Sequence, residues 1–228
     1  MNSICCFRFD LVDITRQFMV NVAPKFYHLA IEAFHKKDIK GLLFNAYHFL
    51  DMLKDLDAIL ATNKNFLLGT WLEEAKSIAS RSKYRLAESA LYEYNARNQI
   101  TLWGPNGEIL DYATKQWSGI VSDYYYPRWE MFYHRLAESI VSNTTYDQDK
   151  YKKDFIEYIG KPFTFATDVY PNKPVGDSIT VAKKLYSKWR AMYNPRDRYW
   201  QSRKENINCS SDMPEASLFS FSVSSHDL

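Results

Sequence analysis

Apolar residues recur at intervals of three and four over most of the chain. From Phe7, the positions Leu11, Ile14, Phe18, Val22, Phe26, Leu29 and Ala33 step along one stripe of a long amphipathic helix. Pro24 lies within it and predicts a kink or break, because proline lacks the backbone donor. The next segment is more regular: Ile39, Leu42, Ala46, Phe49, Leu53, Leu56 and Leu60 form a heptad-like seam. The turn ATNKN ends it, with Asn65 the expected cap of a helix starting near Phe66.

A third helical stretch runs from Leu67 to Ala79 and continues from about Lys83 to Asn98, with Leu86, Ala90 and Tyr94 in step. The pattern then fails at ITLWGPNGEILDY, where Gly104, Pro105, Asn106 and Gly107 predict a turn between short apolar runs, a small extended excursion. Helix is expected again through Tyr112, Gln116, Ile120 and Tyr124. Pro127 marks a kink or a new first turn, and the helix continues through Met131, Leu136 and Ile140. Residues 147–166 are weakly helical and PNKPVGD is a loop. Asp177 or Ser178 then caps a last helix through Val181, Leu185 and Trp189. The predicted class is all-α: a helical bundle with one short loop interruption near residues 100–112 and a disordered C-terminal tail. A non-native or disordered start is expected over 1–6, the helical domain over 7–194, and a largely disordered tail over 195–228.

Composition narrows the function classes. With 46% hydrophobic and 25% charged residues among 228, the chain can build a substantial core. Lys and Arg number 29 against 27 Asp and Glu, a balance that leaves no electrostatic footprint for nucleic acid or an anionic membrane. Seven glycines are too few for a Gly-rich phosphate loop or a doubly wound nucleotide domain. The three cysteines form no framework, and no apolar run reaches the length of a membrane span. The start MNSICCFRFD is not a secretory signal, so the chain as written is expected in the cytosol.

General catalytic motifs are missing as well. Asp51 and Asp55 share a helix face opposite the leucine seam, where like charges are expected to be solvated. Glu73 and Glu74 point in different directions. His28 and His35 lie seven apart without metal-ligand spacing, and His48 and His134 sit on helix flanks, so no metal and no cofactor is expected. No nucleophile elbow occurs. A tetratricopeptide reading of residues 71–94 fails because the segment does not recur. Arg128 with Trp129, and Arg196 and Arg198 with Tyr199 and Trp200, are basic-aromatic pairs that read as structural stacking rather than base contacts.

Four stretches together carry a resemblance. DLVDITRQ (10–17), FLLGTWLEEA (66–75), NARNQITLWGPNGEILDYATKQWSGIVSDYYYPRWEMF (95–132) and VGDSITVAKKLYSKW (175–189) are similar, in order and spacing, to the C-terminal helical domain of the α-N-acetylglucosaminidase family. The resemblance implies a glycoside hydrolase, lysosomal at full length, that removes terminal α-linked N-acetylglucosamine from heparan sulfate. It also implies a partner (β/α)8 catalytic domain that holds both carboxylates of a retaining mechanism. That barrel has no counterpart in these residues, so the chain is not expected to catalyse alone. It reads as a domain or fragment packing on the barrel and helping to close the sugar pocket. The alternative is a stand-alone, non-catalytic helical interaction module that retains the fold.

Within that resemblance Trp103 and Tyr112 are the expected substrate-binding residues. An aromatic on a rigid turn packs on a pyranose face, and a phenol hydrogen-bonds a hydroxyl. Asn98, Gln99, Lys115 and Arg128 are expected to support the loop and helix starts. Asn143 in NTT and Asn208 in NCS are the possible N-glycosylation sites of a secreted form. The aromatic run YYYPRW at 124–129, with Trp117 and Trp103, is the expected contact face for the barrel, and self-association is expected of the isolated chain.

Overall fold

The computed structural model describes residues 2–192, with side chains from Cys6 onward. Helix α1 (Asn2–His35) runs antiparallel to α2 (Ile39–Leu60), and the pair forms the spine of the domain. Shorter helices follow: α3 (Leu68–Ser77), α4 (Arg85–Gln99), α5 (Tyr126–Ser142), α6 (Gln148–Phe155), α7 (Lys161–Phe165) and α8 (Ser178–Trp189). Among the described residues no strand forms. One isolated parallel bridge joins Leu67 to Ser118, where Leu68 N–H donates to Ser118 O (3.0 Å) and Ser118 N–H to Phe66 O (2.8 Å). None of the described helices is long and apolar enough to cross a membrane.

The seam of α2 is buried as its spacing predicts, with Leu42, Ala46, Phe49, Leu53, Leu56 and Leu60 inside. Helix α1 differs in two ways. It continues through Pro24, and it is helical from Asn2, so most of the expected irregular start at 1–6 belongs to the helix. Its buried stripe is Val12, Met19, Val22, Phe26, Ala30 and Ala33, while Ile14 and Leu29 are exposed. In α4 the expected stripe of Leu86 and Ala90 faces outward and Tyr94 is half-buried; Ala96 and Arg97 are the buried positions. The cap before α3 also shifts: Asn63, not Asn65, accepts a backbone N–H, that of Asn65 at 3.0 Å.

The centre of the core is aromatic. Phe49 lies 4.7 Å from Trp129, which stacks on Tyr133, and Phe132 meets Tyr151 edge-on. Tyr124, Tyr125, Arg128 and Trp129 are buried, so the expected contact face at 124–129 is core instead. The reason is geometric. A π-helical turn at Val121–Tyr125 runs straight into α5, and the offset turns both tyrosines inward.

Helix α8 is fastened at both ends. Asp177 caps it through Thr180 N–H and pairs with Arg8 of α1 at 2.6 Å. Those contacts, Thr180 N–H first, lower the Asp177 carboxyl to about 2. At the other end Lys188 bridges Asp51 (2.7 Å) and Asp55 (2.6 Å), and Trp189 Nε1–H donates to Asp55 at 2.8 Å. The two aspartates expected to be merely solvated are therefore the clasp that holds α8 on α2. The segment 166–177 crosses the domain as a strap. Arg97 donates to Asp168 O, Tyr170 O–H to Asp123, and Val175 N–H to Ala61 O. Gly69 lies beneath it, where any Cβ would strike the carbonyls of Tyr170 and Pro171. The expected tail at 195–228 lies outside the described residues.

Candidate functional site

The segment between α4 and α5 is longer than the expected interruption. Helix does not resume at Tyr112; residues 100–119 stay irregular and the π-helical turn starts only at Val121. Left-handed backbone explains the delay. Trp103 (φ 49°), Asp111 (φ 57°), Ala113 (φ 63°) and Thr114 (φ 39°) all have positive φ, as does Gly119 (φ 100°). Each non-glycine residue held there costs on the order of 1–3 kcal/mol, so the surroundings must enforce it.

Three sets of contacts do so. At the start, Asn98 uses both its oxygens: its carbonyl accepts from Trp103 N–H (2.7 Å) and its side chain from Gly104 N–H (3.1 Å). Thr101 and Leu102, within that turn, are buried, and Thr101 O accepts from Asp111 N–H at 2.7 Å. At the tip, Glu108 accepts from both nitrogens of Asn106; the backbone N–H bond chiefly holds its carboxyl below the usual range. At the end, Asp57 of α2 receives Ser118 O–H (3.0 Å), Gly119 N–H (2.8 Å) and Ser122 N–H (3.2 Å), capping the turn that leads into α5. Burial nevertheless leaves the Asp57 carboxyl raised, the bonds opposing but not cancelling it.

Beneath the loop lies a buried ion pair. Arg128 Nη1 is 2.8 Å from both oxygens of Asp111, and both residues are almost fully enclosed. The guanidinium stands 4.6 Å from the Phe155 ring centroid, and Tyr151 O–H donates to Arg128 O at 3.1 Å. Burial opposes the Arg128 charge, but Asp111 outweighs it and keeps the group firmly ionised. Burial also pushes the Tyr124 and Tyr125 hydroxyls far up, with the Asp111 charge adding to it.

What this scaffold presents outward is an aromatic pair. Trp103 and Tyr112 have ring centroids 4.4 Å apart at 48°, and they are 37% and 48% exposed. The loop thus brings together the two residues expected to bind substrate. Asn98 and Arg128 hold it from below, as expected of them. Lys115 lies 5.0 Å from the Trp117 ring centroid, and Gln116 accepts from Arg16 of α1 at 2.6 Å. Gln99 is exposed at the end of α4. A shallow hollow of about 260 Å³ lies along residues 113–117, where Arg16 of α1 and Phe66 also line it. Among the described residues no group of three His, Cys, Asp or Glu side chains could hold a metal ion.

Two supports escape sequence reasoning. Arg97, fully buried, donates to Glu93 and to Asp168 O and lies between the Phe163 and Tyr170 rings. Asp57 sits 62 residues from its Gly119 partner. An arginine or aspartate at a helix position carries no mark of a distant backbone partner. Asn143 is exposed at the end of α5; Asn208 lies outside the described residues.

The chain matches the Alpha-N-acetylglucosaminidase (NAGLU) C-terminal domain over residues 1–188. It is 38% identical to human Alpha-N-acetylglucosaminidase over 184 residues, which are 80% of this chain and 24% of that protein. Among solved structures it is similar to the CpGH89 protein of Clostridium perfringens carrying E483Q and E601Q, in complex with its substrate GlcNAc-alpha-1,4-galactose. There the TM-score is 0.68 and the identity 27%, over 80% of this chain and 21% of that one. The Family 89 Glycoside Hydrolase of the same organism in complex with PUGNAc gives a TM-score of 0.69 at 27% identity, over 82% of this chain and 21% of that one. The chain therefore spans about a quarter of the length of these relatives.

Proposed function

Because the chain belongs to the α-N-acetylglucosaminidase C-terminal domain family, we propose that it serves as the helical wall of a glycosidase pocket. In that role it packs on a (β/α)8 catalytic domain and helps to enclose a terminal α-linked N-acetylglucosamine. The two carboxylates of retaining hydrolysis, one nucleophile and one acid/base, belong to the barrel. Heparan sulfate is the glycan and the lysosome the compartment that go with this reading.

One observation carries it. A bundle has no packing reason to place an exposed tryptophan and tyrosine in contact on a loop whose Trp103, Asp111 and Ala113 are left-handed, over a buried ion pair and two sets of caps. That arrangement fixes two rings in space at a cost to the fold, which fits a surface that must be in position before a sugar arrives. Trp103 offers a ring face to the pyranose. Tyr112 offers a ring edge and a hydroxyl that both donates and accepts.

The test is Trp103→Ala in a full-length enzyme that carries this domain. We expect kcat/KM on an aryl α-N-acetylglucosaminide to fall about tenfold or more, equivalent to roughly 1.4 kcal/mol, with little change in melting temperature. Tyr112→Phe separates hydroxyl from ring. Unchanged kinetics in well-folded Trp103→Ala enzyme would refute the sugar-facing assignment.

A further inference from the structure

We infer that Asn143 is an N-glycosylation site, modified on the end of the domain opposite the 100–120 loop. The inference rests on the reading above only for the compartment, because the sugar donor is a lipid-pyrophosphate-linked oligosaccharide met along the secretory route. The sequence provides the acceptor triplet Asn143-Thr144-Thr145. The structure provides the place.

Asn143 is the C-cap of α5, at φ 50° and ψ 40°, with its N–H bonded to Ile140 O and Ser139 O. That left-handed residue turns the chain off the helix, and Thr144 N–H also reaches back to Ser139 O at 3.0 Å. Residues 141–145 are all exposed, and the next cap, Asp147, starts α6 only after them. The acceptor therefore stands on an open turn rather than on a helix face. Lys37 Nζ, on the turn between α1 and α2, donates to Asn143 Oδ1 at 2.8 Å, and both residues are exposed. This bond uses the amide oxygen, the atom that glycosylation leaves unchanged.

In the transfer, Nδ2 bonds to C1 of the first sugar and loses a proton to a base. The bond from C1 to the pyrophosphate oxygen breaks, and the lipid pyrophosphate leaves with the electron pair. Asn143 lies fifteen residues beyond Arg128 on α5, about 22 Å along the helix axis. A glycan there is held well away from Trp103 and Tyr112.

The test expresses the full 228-residue chain behind a cleavable secretion signal in a eukaryotic host and recovers it from the secretory compartments and medium. Peptide N-glycosidase in heavy-oxygen water should convert Asn143 to labelled Asp in most copies. Thr145→Ala should abolish the label without touching the cap. Asn143→Gly, which keeps the left-handed cap, should lose one glycan with the melting temperature within about 2 °C. Unlabelled Asn143 in recovered protein, or a label that survives Thr145→Ala, overturns the inference. Since the host supplies the routing, these outcomes do not depend on whether Trp103 meets sugar. The Trp103→Ala kinetics in turn do not depend on the glycan.

Discussion

Asp111 and Arg128 meet as a buried ion pair across 17 residues of chain, one guanidinium nitrogen equidistant from both carboxylate oxygens. The pair ties a left-handed residue of the loop to the first turn of α5. In doing so it joins the surface that carries Tyr112 to the aromatic core through Phe155 and Tyr151.

Removing one partner should therefore cost far more than a surface pair does. Asp111→Asn keeps a residue that tolerates left-handed backbone but strands the Arg128 charge. We expect about 3–5 kcal/mol lost in urea unfolding of the chain. Adding Arg128→Met to that variant should recover part of the loss. A single variant within 1 kcal/mol of the parent would show that the charge finds water.

The α8 clasp should divide unequally between its two aspartates. Asp51 serves Lys188 in a partly exposed pair, and Asp51→Ala should cost less than about 1 kcal/mol. Asp55 also accepts the Nε1–H of buried Trp189, so Asp55→Ala leaves an enclosed donor without its partner, worth about 1–3 kcal/mol. Equal losses in denaturant titrations would mean that the Trp189 bond contributes nothing.

Asp57 should make stability depend on pH in the direction opposite to a salt-bridged aspartate. Its folded pKa is raised above the ordinary 3.8, chiefly by burial. The native state therefore holds the proton more tightly than the unfolded chain, and stability falls as pH rises from 3.8 to the raised value, then levels. Subtracting the profile of Asp57→Asn should isolate this fall. A difference curve that rises with pH through that window would reverse the assignment.

Gly69→Ala should invert the usual helix rule. Alanine in a helix is worth about 1 kcal/mol over glycine. Here the added methyl meets the backbone carbonyls of Tyr170 and Pro171, which cannot swing aside as a side chain can. We expect a net loss of about 1–3 kcal/mol and earlier proteolysis at residues 166–177. A more stable variant would show that the strap lifts freely.

The isolated chain should not hydrolyse an aryl α-N-acetylglucosaminide. Retaining chemistry needs two carboxyls about 5 Å apart across the scissile bond. Around the aromatic pair, Asp111 is committed to Arg128 and Glu108 to Asn106. Turnover above a matched blank in independent preparations would overturn this.

Periodicity reveals the α2 seam because Leu42, Ala46, Phe49, Leu53, Leu56 and Leu60 step by threes and fours without a break, whereas the exposed Leu43, Phe44 and Tyr47 do not continue as a second stripe. Helix α1 is ambiguous: Leu11 and Ile14 step as well as Val12 and Met19, and only packing chooses between them. Gly104, Pro105 and Gly107 marked the start of the loop. Its extension past Tyr112 has no marker, since neither alanine nor threonine favours the left-handed backbone that Ala113 and Thr114 adopt there. The aromatic richness of residues 124–129 pointed outward on composition alone, whereas a single π-helical turn directs it inward. Trp103 and Tyr112 were legible as a pair because both lie where the helical pattern fails.

The doubly anchored loop has a consequence for the timing of any binding step at the aromatic pair. Asn98 fixes the backbone on one side of Trp103, and Asp111 fixes it immediately before Tyr112. Rings held in this way do not wait for a slow rearrangement. Capture of a sugar there should follow a single exponential whose observed rate rises linearly with sugar concentration, with no plateau set by a closing motion. Any gate in an enzyme that carries this domain must then be sought in other elements.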